Sequence, residues 1–147
     1  MQIINTAICL TVDDVPASVS FLTSHFGFTE AMAADGFASL TRPDTPSVIF
    51  HRRGLEVLPE GFRDRHADGV ILAFVVDDLH TEYERLRAEG VAITLEPREE
   101  PWGEKLFMVA DPNGVSIELV EWATGAEGCS GDGSEGASKG GSEEAQA

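Results

Sequence analysis

The chain has 147 residues, 42% hydrophobic and 24% charged, which suits a globular protein with one sizeable core or two small halves sharing one. A net charge of -16 and a pI near 4.4 disfavour nucleic acid, whose backbone such a surface repels, and would attract a cationic small molecule. No apolar run approaches the roughly 20 residues that cross a bilayer, and no basic stretch followed by an apolar one marks a signal peptide. The expectation is a cytoplasmic protein with no membrane or nucleic-acid partner. Two cysteines, Cys9 in the first predicted strand and Cys129 far downstream, make neither a disulfide framework nor a metal site.

In chain order, Ile3 to Val12 is rich in β-formers and predicts a strand. Asp13 and Asp14 follow as helix N-caps. Val15, Val19, Leu22 and Phe26 then recur at helical spacing, with Pro16 tolerated in the first turn and Gly27 ending the helix. Three short β segments come next: Phe28 to Ala33, Phe37 to Arg42 and Ser47 to Arg52. Asp35-Gly36 is a hairpin turn between the first two. Residues 55–68 are polar, contain Pro59 and Gly61, and read as a linker without secondary structure.

The pattern then repeats. Val70 to Val76 is an apolar strand, Asp77 and Asp78 cap a helix carrying Leu79, Tyr83 and Leu86, and Gly90 closes it. Asp13 and Asp77 are 64 residues apart, and Leu22 and Leu86 share that offset. A strand from Val91 to Leu95 leads to a hairpin. In that hairpin Leu106 to Ala110 and Val115 to Trp122 flank Asp111-Pro112-Asn113-Gly114, whose residues each favour a turn. Alternation puts Glu118 on one face with Ser116, Val120 and Trp122.

The fold class expected is therefore α+β: two β-α-β-β-β repeats, residues 1–54 and 69–122, forming a curved mixed sheet with helices on its convex face and a concave cleft on the other. Residues 123–147 lack β-branched and aromatic side chains almost entirely and predict a disordered acidic tail rich in Gly and Ser.

The paired halves, with VDDVPASVSFLTSHFGF in the first and PWGEKLFMVADPNGVSIEL in the second, resemble the vicinal oxygen chelate superfamily of glyoxalase I, extradiol dioxygenases, fosfomycin-modifying enzymes and bleomycin-resistance proteins. The resemblance covers roughly residues 1–122. It implies a divalent metal site whose ligands come from the first and last strands of each half, which here fall on Ala7, Phe50, Ile71 and Glu118. Three of the four have no lone pair to give, so no metal and no other cofactor is expected.

What is expected instead is a mostly apolar binding cleft. By strand parity its floor takes Asn5, Ala7, Cys9, Val48, Phe50, Arg52, Ile71, Ala73, Val75, Ser116, Glu118 and Val120. Trp102, between Pro101 and Gly103, is expected to stack on the ligand, with Glu118 or Arg52 fixing its orientation. The four histidines are expected at the surface or at helix ends. These features predict non-catalytic sequestration of a bulky aromatic antibiotic, bleomycin-, mitomycin- or enediyne-like, with no catalytic residue. The alternative is a lyase, isomerase or dioxygenase-like enzyme using Glu118 as general base. The resemblance also implies a homodimer with the cleft at or near the subunit interface.

Overall fold

A computed structural model of the protein describes residues 1–123; the tail expected over 123–147 lies, from residue 124 on, outside the described residues. The first half runs β1 (Ala7–Val12), α1 (Val15–His25), β2 (Thr29–Ala34), β3 (Phe37–Thr41) and β4 (Ser47–Arg52). A connecting stretch holds one helical turn, α2 (Glu60–Arg63). The second half runs β5 (Ile71–Val75), α3 (Leu79–Ala88), β6 (Ile93–Glu99), β7 (Glu104–Ala110) and β8 (Ser116–Trp122). Each half is β-α-β-β-β with its own four-stranded mixed sheet, ordered β1-β4-β3-β2 and β5-β8-β7-β6. In each, the first strand lies parallel to the last and the other pairings are antiparallel.

Both helices start where the paired aspartates predict. Asp14 accepts a hydrogen bond from the Ala17 backbone N–H at 3.1 Å, and Asp78 from that of Thr81 at 3.0 Å. Each thereby satisfies a donor that the first turn leaves without a helical partner. The one turn of α2 corrects the expectation of a structureless linker. Pro59 presets the backbone at its start, and the Arg63 guanidinium returns to the carbonyls of Glu56 and Leu58, both at 3.0 Å. The Ala67 N–H donates to Thr11 O at 2.8 Å, so the linker is fastened beside β1.

One hydrophobic cluster spans both halves, with Leu10, Val12, Leu22, Leu40 and Phe50 from the first and Leu72, Leu86, Phe107, Ile117 and Leu119 from the second. Phe74 joins them, its ring 5.8 Å from Phe26 and 6.0 Å from Phe28. Sharing one core lets halves of some 55 residues each reach a burial that neither would reach alone.

Two polar joints fix how the halves meet. His25 at the end of α1 lies 2.6 Å from Glu89 just past α3, and Arg85 donates to the His25 carbonyl at 2.9 Å. His25 and Glu89 are 64 residues apart, the offset of the repeat, so equivalent helix ends meet. The second joint is the Asp111–Gly114 turn. Asn113 bonds both backbone groups of Asp14, accepting from its N–H at 3.0 Å and donating to its carbonyl at 2.7 Å. Buried Ser18, in α1, donates to the Asp111 carboxylate.

Candidate functional site

In both sheets one face carries the core and the opposite face is left open. Parallel β1–β4 register sets the rows in the first half. Thr11 pairs with His51 and His51 with Phe37; Cys9 pairs with Ile49 and Ile49 with Ser39; Ala7 pairs with Ser47. None of these side chains carries a charge at neutral pH. His51 is half-buried, packs 5.5 Å from the Phe37 ring, and is held below the ordinary imidazole pKa by desolvation.

The open face of the second half differs in chemistry. Ala73 pairs with Glu118, Glu118 with Met108 and Met108 with Leu95. The neighbouring row runs Val75, Val120, Leu106 and Arg98, and beyond it Glu104 pairs with Trp122. Val120 and Leu106 are buried here, outside the main core, and form an apolar floor. Burial first, and repulsion from Glu104 second, push the Glu118 carboxyl above its usual range, while Arg98 opposes them.

Trp102 lies in the turn between β6 and β7, at the end of this face where Glu104 pairs with Trp122. The turn that carries it is closed by Gly103 N–H to Glu100 O at 2.9 Å, with Gly103 at φ +89°, a conformation that side-chain-bearing residues rarely adopt. The indole N–H donates to the Glu104 carboxylate at 2.6 Å, and Glu104 in turn acts on Glu118 through its charge. Its ring remains 61% exposed.

Nine of the expected cleft residues lie on the open faces or their rim: Ala7 and Cys9 on the first sheet, and Ile71, Ala73, Val75, Ser116, Glu118, Val120 and Trp102 on the second. Val48, Phe50 and Arg52 do not. Val48 and Phe50 face the core with Leu10 and Ala38, at 2% and 1% exposure, and Arg52 forms an ion pair with Asp35 at 2.8 Å on that same side. Phe50 gains about 2–3 kcal/mol by leaving water, so the larger apolar pair turns inward and Ile49 and His51 turn outward. His51, expected at the surface, stands on the open face and is half-buried there. A parallel β1–β4 pairing imposed on the strands would have exposed Ile49 and His51 as the partners of Cys9 and Thr11.

The metal positions can now be tested. Ala7 and Ile71 offer no lone pair, Phe50 is on the core side, and Ile49 stands opposite Cys9 where Glu118 stands opposite Ala73. Among the described residues no three His, Cys, Asp or Glu side chains gather so as to hold a metal ion. The donor set does not fit the divalent ion that the resemblance implies.

The raised pKa of Glu118 has a checkable consequence. A carboxyl whose folded-state pKa lies above its unfolded value contributes stability below the usual carboxylate range and loses that contribution as pH rises through the folded value. Glu118→Gln removes the desolvated charge. Its melting temperature should exceed that of the parent at pH 7, by about 0.5 kcal/mol or less in stability, with the two converging near pH 4. Thermal melts across that range check it, and a Gln variant less stable at pH 7 contradicts it.

The chain resembles several solved structures. A glyoxalase/bleomycin resistance protein/dioxygenase from Nocardioides is 27% identical with a TM-score of 0.71, over 85% of this chain and 87% of that one. An integron cassette protein from the mobile metagenome of V. cholerae is 24% identical with a TM-score of 0.66, over 84% and 98%. A lactoylglutathione lyase from Agrobacterium tumefaciens is 18% identical with a TM-score of 0.64, over 79% and 91%. The last two share the fold alone. No functionally curated protein matches the chain. No helix among the described residues is long and apolar enough to cross a membrane. The family model for the Glyoxalase/Bleomycin resistance protein/Dioxygenase superfamily matches residues 4–119. Two β-α-β-β-β halves, their shared core and this match agree, and the chain belongs to that superfamily.

Proposed function

We propose that the protein binds and sequesters a bulky aromatic natural product of the bleomycin, mitomycin or enediyne kind, protecting the cell that makes it or meets it, and does so in the cytoplasm without transforming the ligand. The observation that carries this is the chemistry of the open faces: an apolar floor of Leu106 and Val120 in the second half, an exposed indole in the adjoining turn, and a single carboxylate, Glu118, among the four positions where a metal-dependent relative needs donors. Apolar burial and ring stacking would supply affinity, and Glu118 and Glu104 would orient a cationic group. Cells expressing the chain should tolerate higher bleomycin A2 or mitomycin C than cells expressing Trp102→Ala. Equal sensitivity to every drug tried, or a divalent metal retained at one per chain after purification, sinks the proposal.

A homodimer belongs to the same proposal. β1 and β5 are edge strands, and the β5 edge exposes Ile71 at 54% and Val75 at 68%. Such an edge invites a partner strand. Covering it with a second copy would set the first-half face of one protomer against the second-half face of the other. Sedimentation should give twice the mass of the 15.8 kDa chain; a monomer at all concentrations removes the dimer.

One observation favours a second function. A carboxyl with a raised pKa in an apolar setting is suited to accept a proton, so Glu118 could act as general base in a lyase or isomerase. Beside it stand Glu104, whose carboxylate the Trp102 indole already engages, and Arg98; the apolar floor and exposed indole around them favour binding.

A further inference from the structure

We infer that the row Thr11–His51–Phe37 is a second ligand-contact subsite, one that takes an uncharged, planar heteroaromatic part of the ligand, with the imidazole of His51 hydrogen-bonding its edge. This rests on the binding proposal above but names a residue and a ligand chemistry that the proposal does not require. Three observations carry it. First, register fixes the row: Thr11 and Phe37 flank His51 on adjacent strands, on the face turned from the core. Second, the imidazole and the Phe37 ring pack at 5.5 Å with an interplanar angle of 54°, an aromatic ledge on which a flat ring can lie. Third, the His51 imidazole makes no hydrogen bond or ion pair among the described residues, although the residue is half-buried.

The surrounding chemistry selects the ligand. In a chain of net charge -16, this face carries no charge in any of its three rows, whereas the face of the second half carries Glu118, Glu104 and Arg98. Desolvation lowers the His51 pKa and so favours the neutral ring, which offers one N–H donor and one lone pair. The residues that register sets beside it, Thr11 on β1 and Phe37 on β3, are not titratable, and Arg53, two residues further on, is paired with Asp13 at 2.7 Å. A ligand spanning both faces would then be bipartite, with a neutral flat part on the first and a cationic part on the second.

The test uses the full chain with histidine side chains labelled with ¹⁵N, titrated with bleomycin A2 and, separately, with mitomycin C. Tryptophan fluorescence is followed in parallel as the reporter of the second-half face, which carries both Trp102 and Trp122. The expected result is a shift of the His51 ring resonances that saturates together with the tryptophan change. His51→Ala should weaken binding tenfold or more, and His51→Phe, which keeps the ledge but loses the hydrogen bond, three- to fivefold. The ring shift in the parent chain decides the matter even if a variant fails to fold. If the tryptophan signal responds while the His51 ring does not, the subsite is wrong and the binding proposal stands. If neither responds to either drug, both fail.

Discussion

Asp111→Ala will lower the stability of the protein by about 3 kcal/mol, a drop in melting temperature on the order of 10 °C. The Asp111 side chain is 5% exposed. One carboxylate oxygen accepts the backbone N–H groups of Asn113 at 2.9 Å and Val115 at 2.8 Å, and the other accepts the Ser18 hydroxyl. Alanine strands two backbone donors and a buried hydroxyl together, and each orphaned group costs roughly 1–3 kcal/mol, less where water can enter. The loss also loosens Asn113 from Asp14, and with it the fit between the halves. Asp111→Asn keeps an acceptor for both N–H groups and should lose about 1 kcal/mol. Chemical denaturation of the three proteins checks this, and an Ala variant within 0.5 kcal/mol of the parent, roughly the range of an ordinary surface substitution, would contradict it.

The second large effect is on binding. Trp102→Ala should weaken the affinity for an aromatic ligand ten- to a hundredfold, about 1.4–2.8 kcal/mol, with little change in stability because the ring is mostly exposed. Trp102→Phe keeps a stacking face but loses the N–H that Glu104 holds at 2.6 Å, and should recover part of the loss. Isothermal titration with bleomycin A2 measures all three. An affinity indifferent to Trp102 would remove the indole from the site.

Much of the fold was legible in the residues. The Asp-Asp steps at 13–14 and 77–78 mark helix starts through local chemistry, since an N-cap bond reaches only three residues ahead. Asp111-Pro112-Asn113-Gly114 reads as a turn for the same reason. That this turn also holds α1 was not legible, because its partners Asp14 and Ser18 lie 93 to 99 residues away. The failure at β4 has another cause. Val48, Ile49 and Phe50 are three apolar residues in a row, so alternation gives no sign of which face turns inward. A one-residue shift in parity exchanges the two faces of a strand. Val48, Phe50 and Arg52 consequently lie off the open face, and Ile49 and His51 lie on it. On β8, Ser116-Ile117-Glu118-Leu119 alternates clearly, and Glu118 stood on the expected face.

The cleft is expected to hold an aromatic natural product and to return it unchanged. The direct measurement is to titrate the purified protein with bleomycin A2 and mitomycin C while following tryptophan fluorescence, then to release the bound drug by denaturation and weigh it by mass spectrometry. Submicromolar binding of at least one drug, recovered at its original mass, is the predicted result. A drug recovered chemically altered, or the absence of saturable binding to either, would contradict it.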